Sequence, residues 1–331
     1  MQTLQPPAKS ATEKNEISVK NLPVNLFASV MGISGLALAW RLAAYQYGVS
    51  PIISAVIGLV AVITFLILAV SYAAKIAKYP DAVMHEFRHP IAGNFFGTVP
   101  IAVLLISSLI GPANQAMAEF VWTIGAVGAI TLAFTIFSRL VRGKIDSGHA
   151  LPAWLIPGVA TLDIVVAGGT MHMPWARELN IFSMAVGTIL ALVFFTMIVS
   201  RLIHHEKLAD GIVPSLMILI APFEVGFLAY TNFTQQVDVF SAVLFYFGLF
   251  LFFTLVFKVF RRSIPFAAGW WGVSFPLAVL SNAALKYSDT VHLWPITVLA
   301  ILLLAFLSVV IVVLFVRTVR IVFSGHLLSG R

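Results

Sequence analysis

Ten charge-poor apolar stretches of roughly twenty residues fill most of this 331-residue chain, and its twenty lysines and arginines fall on alternate sides of them, seventeen to three. The stretches run 23–40, 51–74, 91–110, 119–138, 152–171, 180–200, 211–230, 239–257, 265–285 and 293–316. At 1.5 Å per residue, about twenty helical residues cross the ~30 Å of hydrocarbon in a bilayer. Each stretch is therefore predicted to be a spanning helix. Cytoplasmic loops collect Lys and Arg, so the basic side, which includes both termini, is predicted to be cytoplasmic. The sparse side holds only Arg41, Arg177 and Lys286. A missed or extra span would scramble this alternation.

Composition excludes a soluble domain. The chain is 60% hydrophobic and 10% charged, against about 45–50% and 25% for soluble proteins. Its formal charge of +7 is spread over six cytoplasmic segments rather than gathered on one face, which fits topology and anionic lipid, not nucleic acid. Cysteine is absent, which removes disulfides, thiol catalysis and cysteine metal sites. Residues 1–22 are polar, carry Pro6 and Pro7, and lack the apolar run of a signal peptide; they are predicted to be a flexible cytoplasmic tail. Residues 23–323 form one ten-helix membrane channel domain, followed by a cytoplasmic tail at 324–331. The loops leave no room for a soluble domain or a nucleotide-driven motor.

Helix breakers show a second alternation. Proline inside a helix removes a hydrogen bond and costs about 3 kcal/mol or more. Pro100, Pro157, Pro222 and Pro276 lie inside the third, fifth, seventh and ninth stretches, and the first has Gly32, Ser34 and Gly35 instead. Pro51 and Pro295 stand at the starts of even stretches, where a missing N–H is harmless. Irregular backbone at membrane depth is tolerated where it is buried in protein or lines a watery cavity. The expectation is an all-α integral membrane protein of five tandem helical hairpins. Odd helices, kinked at Gly35, Pro100, Pro157, Pro222 and Pro276, form an inner pore ring, and apolar even helices form an outer ring.

Enzyme constellations fail. His204, His205 and Glu206 are adjacent and read as a solvated cluster. His85 and His89 have i, i+4 spacing but lack a third partner, so no metal is assigned. There is no phosphate-cradling glycine loop and no Gly-x-Ser-x-Gly elbow, so neither enzymatic activity nor a cofactor is expected. Two acids fall inside the stretches away from their ends, Asp163 and Glu224. Intramembrane carboxylates face protein or water and are functional candidates, here as proton or selectivity sites. No lysine or arginine lies mid-stretch, so anion selectivity is expected from hydroxyls, backbone N–H groups and helix ends.

The run WWGVSFPLAVLSNAALKY at 270–287 resembles the ninth helix of the tellurite-resistance/dicarboxylate transporter family, which includes the bacterial TehA proteins and the plant slow-type anion channels. NLFASVMGISGLALAW from Asn25, HEFRHPIAGNFFGTVP from His85, PAWLIPGVA from Pro152 and IAPFEVGFLAY from Ile220 extend the resemblance over nearly the whole chain. The resemblance implies five hairpins in a ring, a homotrimer with one pore per subunit, and Phe275, in Ser274-Phe275-Pro276, as the residue that plugs the pore. A ring there makes a dry constriction that a dehydrated anion crosses only at high cost. One departure is the pair Phe223 and Glu224, where family members often have a proline or a small residue; it is expected to narrow the pore, shift selectivity or add pH sensitivity.

Three readings follow. The preferred one is a passive channel for small inorganic or organic anions, gated at Phe275, in a bacterial inner membrane. The second is a proton-coupled transporter of a dicarboxylate, sulfite or tellurite type of anion, motivated by Asp163 and Glu224. The third is a non-transporting structural or sensory protein. Arg261 and Arg262 are expected to gather anions at the cytoplasmic mouth.

Overall fold

The computed structural model describes residues 18–143 and 146–324; residues 1–17, Lys144, Ile145 and 325–331 lie outside it, and with them most of both predicted tails. The described residues are helical and contain no strand. The helices are α1 Phe27–Tyr47, α2 Pro51–Lys78, α3 Pro80–Arg88, α4 Thr98–Ile110, α5 Gln115–Val141, α6 Ile156–Gly168, α7 Ala176–His204, α8 Ala221–Thr234, α9 Val239–Val259, α10 Ser274–Val291 and α11 Trp294–Phe323. The odd apolar stretches became α1, α4, α6, α8 and α10, and the even ones α2, α5, α7, α9 and α11. The short α3 lies between stretches.

Among the described residues eight segments are long and apolar enough to cross a membrane, and the chain is a multi-pass integral membrane protein. Two of the ten expected spans miss that standard, for a physical reason. Pro152–Gly168 is short, and α10 carries Ser281, Asn282, Lys286, Ser288 and Asp289. Every residue of α6 except Val166 is buried, as is most of α10. A helix surrounded by protein need not satisfy lipid, so its sequence is free to be shorter or more polar. The reverse holds for helices that face lipid. In the most apolar part of each segment, 78% is buried in Val24–Tyr47 and in Asp210–Thr234, against 17% in α2 and 33% in α5, α7 and α9. Leu59, Phe134, Leu192, Phe250 and Leu302 make up part of the exposed apolar surface of those outer helices.

The prolines act differently from the expectation. Each buried helix is preceded by a 3-10 stretch: Val24–Leu26, Ala92–Gly97, Pro152–Leu155, Asp210–Ile220 and Ala268–Val273. Pro100, Pro157, Pro222 and Pro276 all lie within the first three residues of the α-helix that follows. The backbone changes from 3-10 to α at these positions, so the prolines mark junctions between the two helix types rather than kinks within an α-helix. The looser rise of about 2.0 Å per residue also lengthens the path: Pro152–Leu155 plus α6 spans about 28 Å. Gly35 departs further, because α1 runs through it without interruption.

Gly35 instead permits close approach. A Cβ at this position would lie 2.5 Å from the Cβ of Ala278 on α10, and one at Gly32 would strike the Ser274 side chain. Small residues let the two backbones meet, as in many membrane helix pairs. The contact is then secured by polar groups: Ser274 Oγ donates to Ala28 O at 3.2 Å, and Asn282 Nδ2 donates to Gly35 O at 2.9 Å. We expect Gly35→Ala to destabilise the detergent-solubilised protein by about 1–3 kcal/mol through overpacking. Gly58→Ala, where a Cβ would meet nothing within 3.7 Å, should be neutral or stabilising. Equal thermal unfolding midpoints for the two variants would refute this account of the α1–α10 seam.

Candidate functional site: two cavities meeting at Phe275

Packing contacts run from α1 to α4, α4 to α6, α6 to α8, α8 to α10 and α10 back to α1. Each of these helices turns one stripe toward the space they share. On α1 the stripe is Ala28, Met31, Gly35, Leu38 and Leu42; on α6 it is Ile156, Val159, Asp163 and Val166, with Thr170 just beyond the helix end. Spacings of three and four place such residues on one helical face.

The shared space is divided in two. The smaller cavity has a volume of about 30 Å³, which is room for roughly one or two waters, and is lined by the amino-terminal ends of the five helices. Its walls are Met31, Ile101, Val159, Ile218 and Trp271, with Thr98 a rare polar group. The larger has a volume of about 580 Å³ and is lined by their carboxy-terminal portions, out to the exposed Tyr45 and Asp289. Phe275 lines both, and among the described residues no other does. It is 4% exposed and sits on the second residue of α10, held by the Ser274 bonds on one side and by Pro276 on the other.

The larger cavity carries charge that the sequence reading placed outside the spans. Arg41 and Lys286 both line it. Arg41 Nη2 donates to Ser108 O at 2.9 Å, and Lys286 Nζ donates to Asn232 Oδ1. Their apolar stretches were cut at Trp40 and Leu285, one residue short of each charge, whereas α1 and α10 continue to Tyr47 and Val291. No lysine or arginine is found mid-stretch, but these two, in the carboxy-terminal parts of α1 and α10, line the cavity that the helices share.

The two intramembrane acids part company. Asp163 lines the larger cavity, and its carboxyl oxygens have no hydrogen-bond partner. Glu224 is fully buried, also without a partner, but lines neither of these cavities; it packs against Gly248 of α9. Phe223 points outward on α8, edge-on to Phe195 at 5.0 Å and Phe247 at 4.5 Å. Neither member of this unusual pair narrows the space the five helices share.

Other candidates disperse. Arg261 lines a separate cavity of about 490 Å³ with Arg201, Lys207 and Lys258, and Arg262 is exposed beside it. Neither lines the two cavities that meet at Phe275. His89 Nδ1 accepts backbone N–H groups of Ile91 and Ala92, and Glu86 is engaged by Lys75, Tyr72 and Val24. Among the described residues no three His, Asp or Glu side chains converge as metal ligands.

Residues 21–319 match the family described as SLAC1, voltage-dependent anion channel. The chain is 27% identical to the S-type anion channel SLAH3 of Arabidopsis thaliana over 90% of its own length and 48% of that protein's, and 26% identical to SLAH2 over 81% and 53%. It spans about half the length of these plant relatives. It is also 24% identical to the tellurite resistance protein TehA homolog of Haemophilus influenzae, over 80% of this chain and 81% of that one.

Proposed function

The chain belongs to the voltage-dependent anion channel family, and from that premise we propose that it passes small anions through a pore in each subunit, with Phe275 as the gate. In this reading ten helices cross the membrane as five hairpins. α1, α4, α6, α8 and α10 form the inner ring, and α2, α5, α7, α9 and α11 the outer one. Subunits assemble as homotrimers in a bacterial inner membrane, with the basic loops and both termini cytoplasmic. The observation that carries the proposal is the place of Phe275, the side chain shared by two cavities that the same five helices line. An apolar ring at a dry constriction gates by excluding hydrated ions. The packed wall of the smaller cavity, with Ile101, Val159 and Trp271, favours anions that give up hydration at little cost.

A second reading, proton-coupled carriage, is favoured by one observation: Asp163 faces the larger cavity with both oxygens unpaired. Reversal potentials in proteoliposome or bilayer recordings, taken in anion gradients at two pH values, separate the two. For a channel, the potential should follow the anion gradient alone and stay fixed as the proton gradient changes. A potential that moves with the proton gradient, and ceases to do so in Asp163→Asn, would replace the channel by a coupled carrier.

A further inference from the structure

We infer that the larger cavity contains an anion-binding site built from Arg41 of α1 and Lys286 of α10, which holds the anion before it reaches Phe275; this rests on the conducting reading above. The first support is statistical pressure on the sequence. Lysine and arginine are disfavoured on the side of the membrane that these two occupy, and only three are found there. The third, Arg177, lies at the surface and pairs with Glu178 at 3.1 Å. The two without a carboxylate partner are the two that line the cavity.

Hydrogen-bond inventory gives the second support. A guanidinium has five N–H donors and an ammonium three. Arg41 is bonded to one neutral acceptor, the Ser108 carbonyl, and Lys286 to one, the Asn232 side chain. These bonds tie each cation to the next helix, α4 or α8, and fix where its remaining donors sit. Among the described residues neither cation forms an ion pair, although Asp163 and Asp289 line the same cavity. Both charges are half-buried, so screening by bulk salt is weaker than for a surface pair. The cavity therefore offers two anchored cations, each without an ion-pair partner among the described residues. Tyr45, Gln46, Gln115 and Thr170 add neutral polar groups around them.

The chemistry selects among anions. A guanidinium holds two oxygens side by side, whereas an ammonium acts as a point charge. The site is expected to favour a small planar oxyanion, nitrate or a carboxylate, over a halide.

The test uses the full chain carrying Phe275→Ala, with conductance measured against nitrate and chloride concentration on the cavity side. Nitrate conductance should saturate. Arg41→Gln and Lys286→Met should each raise the half-saturating concentration about tenfold, the usual scale for losing a hydrogen bond to a charged group. Arg41→Lys, which keeps the charge, should lower the nitrate preference over chloride. Normal currents with unchanged half-saturation in Arg41→Gln and Lys286→Met would overturn the site while leaving the channel reading intact. If the parent passes no current, the channel reading fails, and nitrate-dependent thermal stabilisation of the purified protein decides the site. Stabilisation lost in Arg41→Gln and retained in Arg41→Lys supports it; no stabilisation, or stabilisation equal in all variants, removes it.

Discussion

Replacing Phe275 with alanine is expected to raise anion flux by about 10- to 100-fold at equal surface density. The ring is nearly inaccessible and lines both of two cavities of very different volume. Keeping a phenylalanine side chain in an apolar site is worth about 1.5–3 kcal/mol. If that burial holds the closed state, removing it shifts the open population by roughly one to two orders of magnitude, since about 1.4 kcal/mol is a factor of ten. Leucine at the same position keeps part of the apolar contact and should give an intermediate flux. Because the ring already borders open space, truncation should cost less stability than the 3–5 kcal/mol typical of a fully packed phenylalanine. A variant that folds, reaches the membrane and conducts no better than the parent would show that the barrier lies elsewhere, for instance in the small cavity itself.

The helix positions were legible in the sequence because lipid imposes a simple rule on the residues it touches. α2, α5, α7, α9 and α11 obey it and read clearly. The buried helices are governed by protein neighbours, so their rule is weaker. α6 is enclosed on nearly every face, and apolarity on all sides gives no periodicity from which to find the face that lines a cavity. For that reason Asp163 and Glu224 looked alike, although one faces a cavity and the other faces Gly248. Arg41 and Lys286 were missed for a related reason. A hydropathy cut stops at the first charge, yet a helix that lines water can carry a cation well inside its length. The prolines were informative about where the backbone changes. Only the geometry showed that the change is from 3-10 to α, at the first turn of each helix.

The second large effect is expected at Glu86, far from Phe275, where Glu86→Gln should lower stability by about 3–5 kcal/mol. Lys75 is 3% exposed and donates to Glu86 Oε2 at 2.6 Å and to the Leu22 carbonyl at 2.8 Å. Tyr72 donates to the same carboxylate oxygen at 3.0 Å, and the Val24 N–H donates to Oε1 at 2.8 Å. Three further groups, from α2 and the segment before α1, thus converge on one largely buried ion pair between α2 and α3. Neutralising one partner leaves the other charge buried and uncompensated, which is the costly case, whereas replacing both with neutral groups is often tolerated. Thermal or denaturant unfolding in detergent of Glu86→Gln, Lys75→Met and the double variant forms a complete cycle. The double variant should recover most of the loss; additive losses would mean that the pair acts as two independent hydrogen-bonding residues. The consequence extends to transport. Val24 precedes Ala28 and Met31, which wall the smaller cavity, and Thr98 Oγ1 reaches the Val24 carbonyl at 3.4 Å from the start of α4. The ion pair therefore anchors the entry of α1 against α4 beside the smaller cavity. In the Phe275→Ala background, where the ring no longer limits flux, loosening this anchor should alter anion selectivity more than conductance, because it widens the wall that enforces dehydration. Selectivity unchanged in Glu86→Gln, despite the loss of stability, would confine the pair to holding the fold.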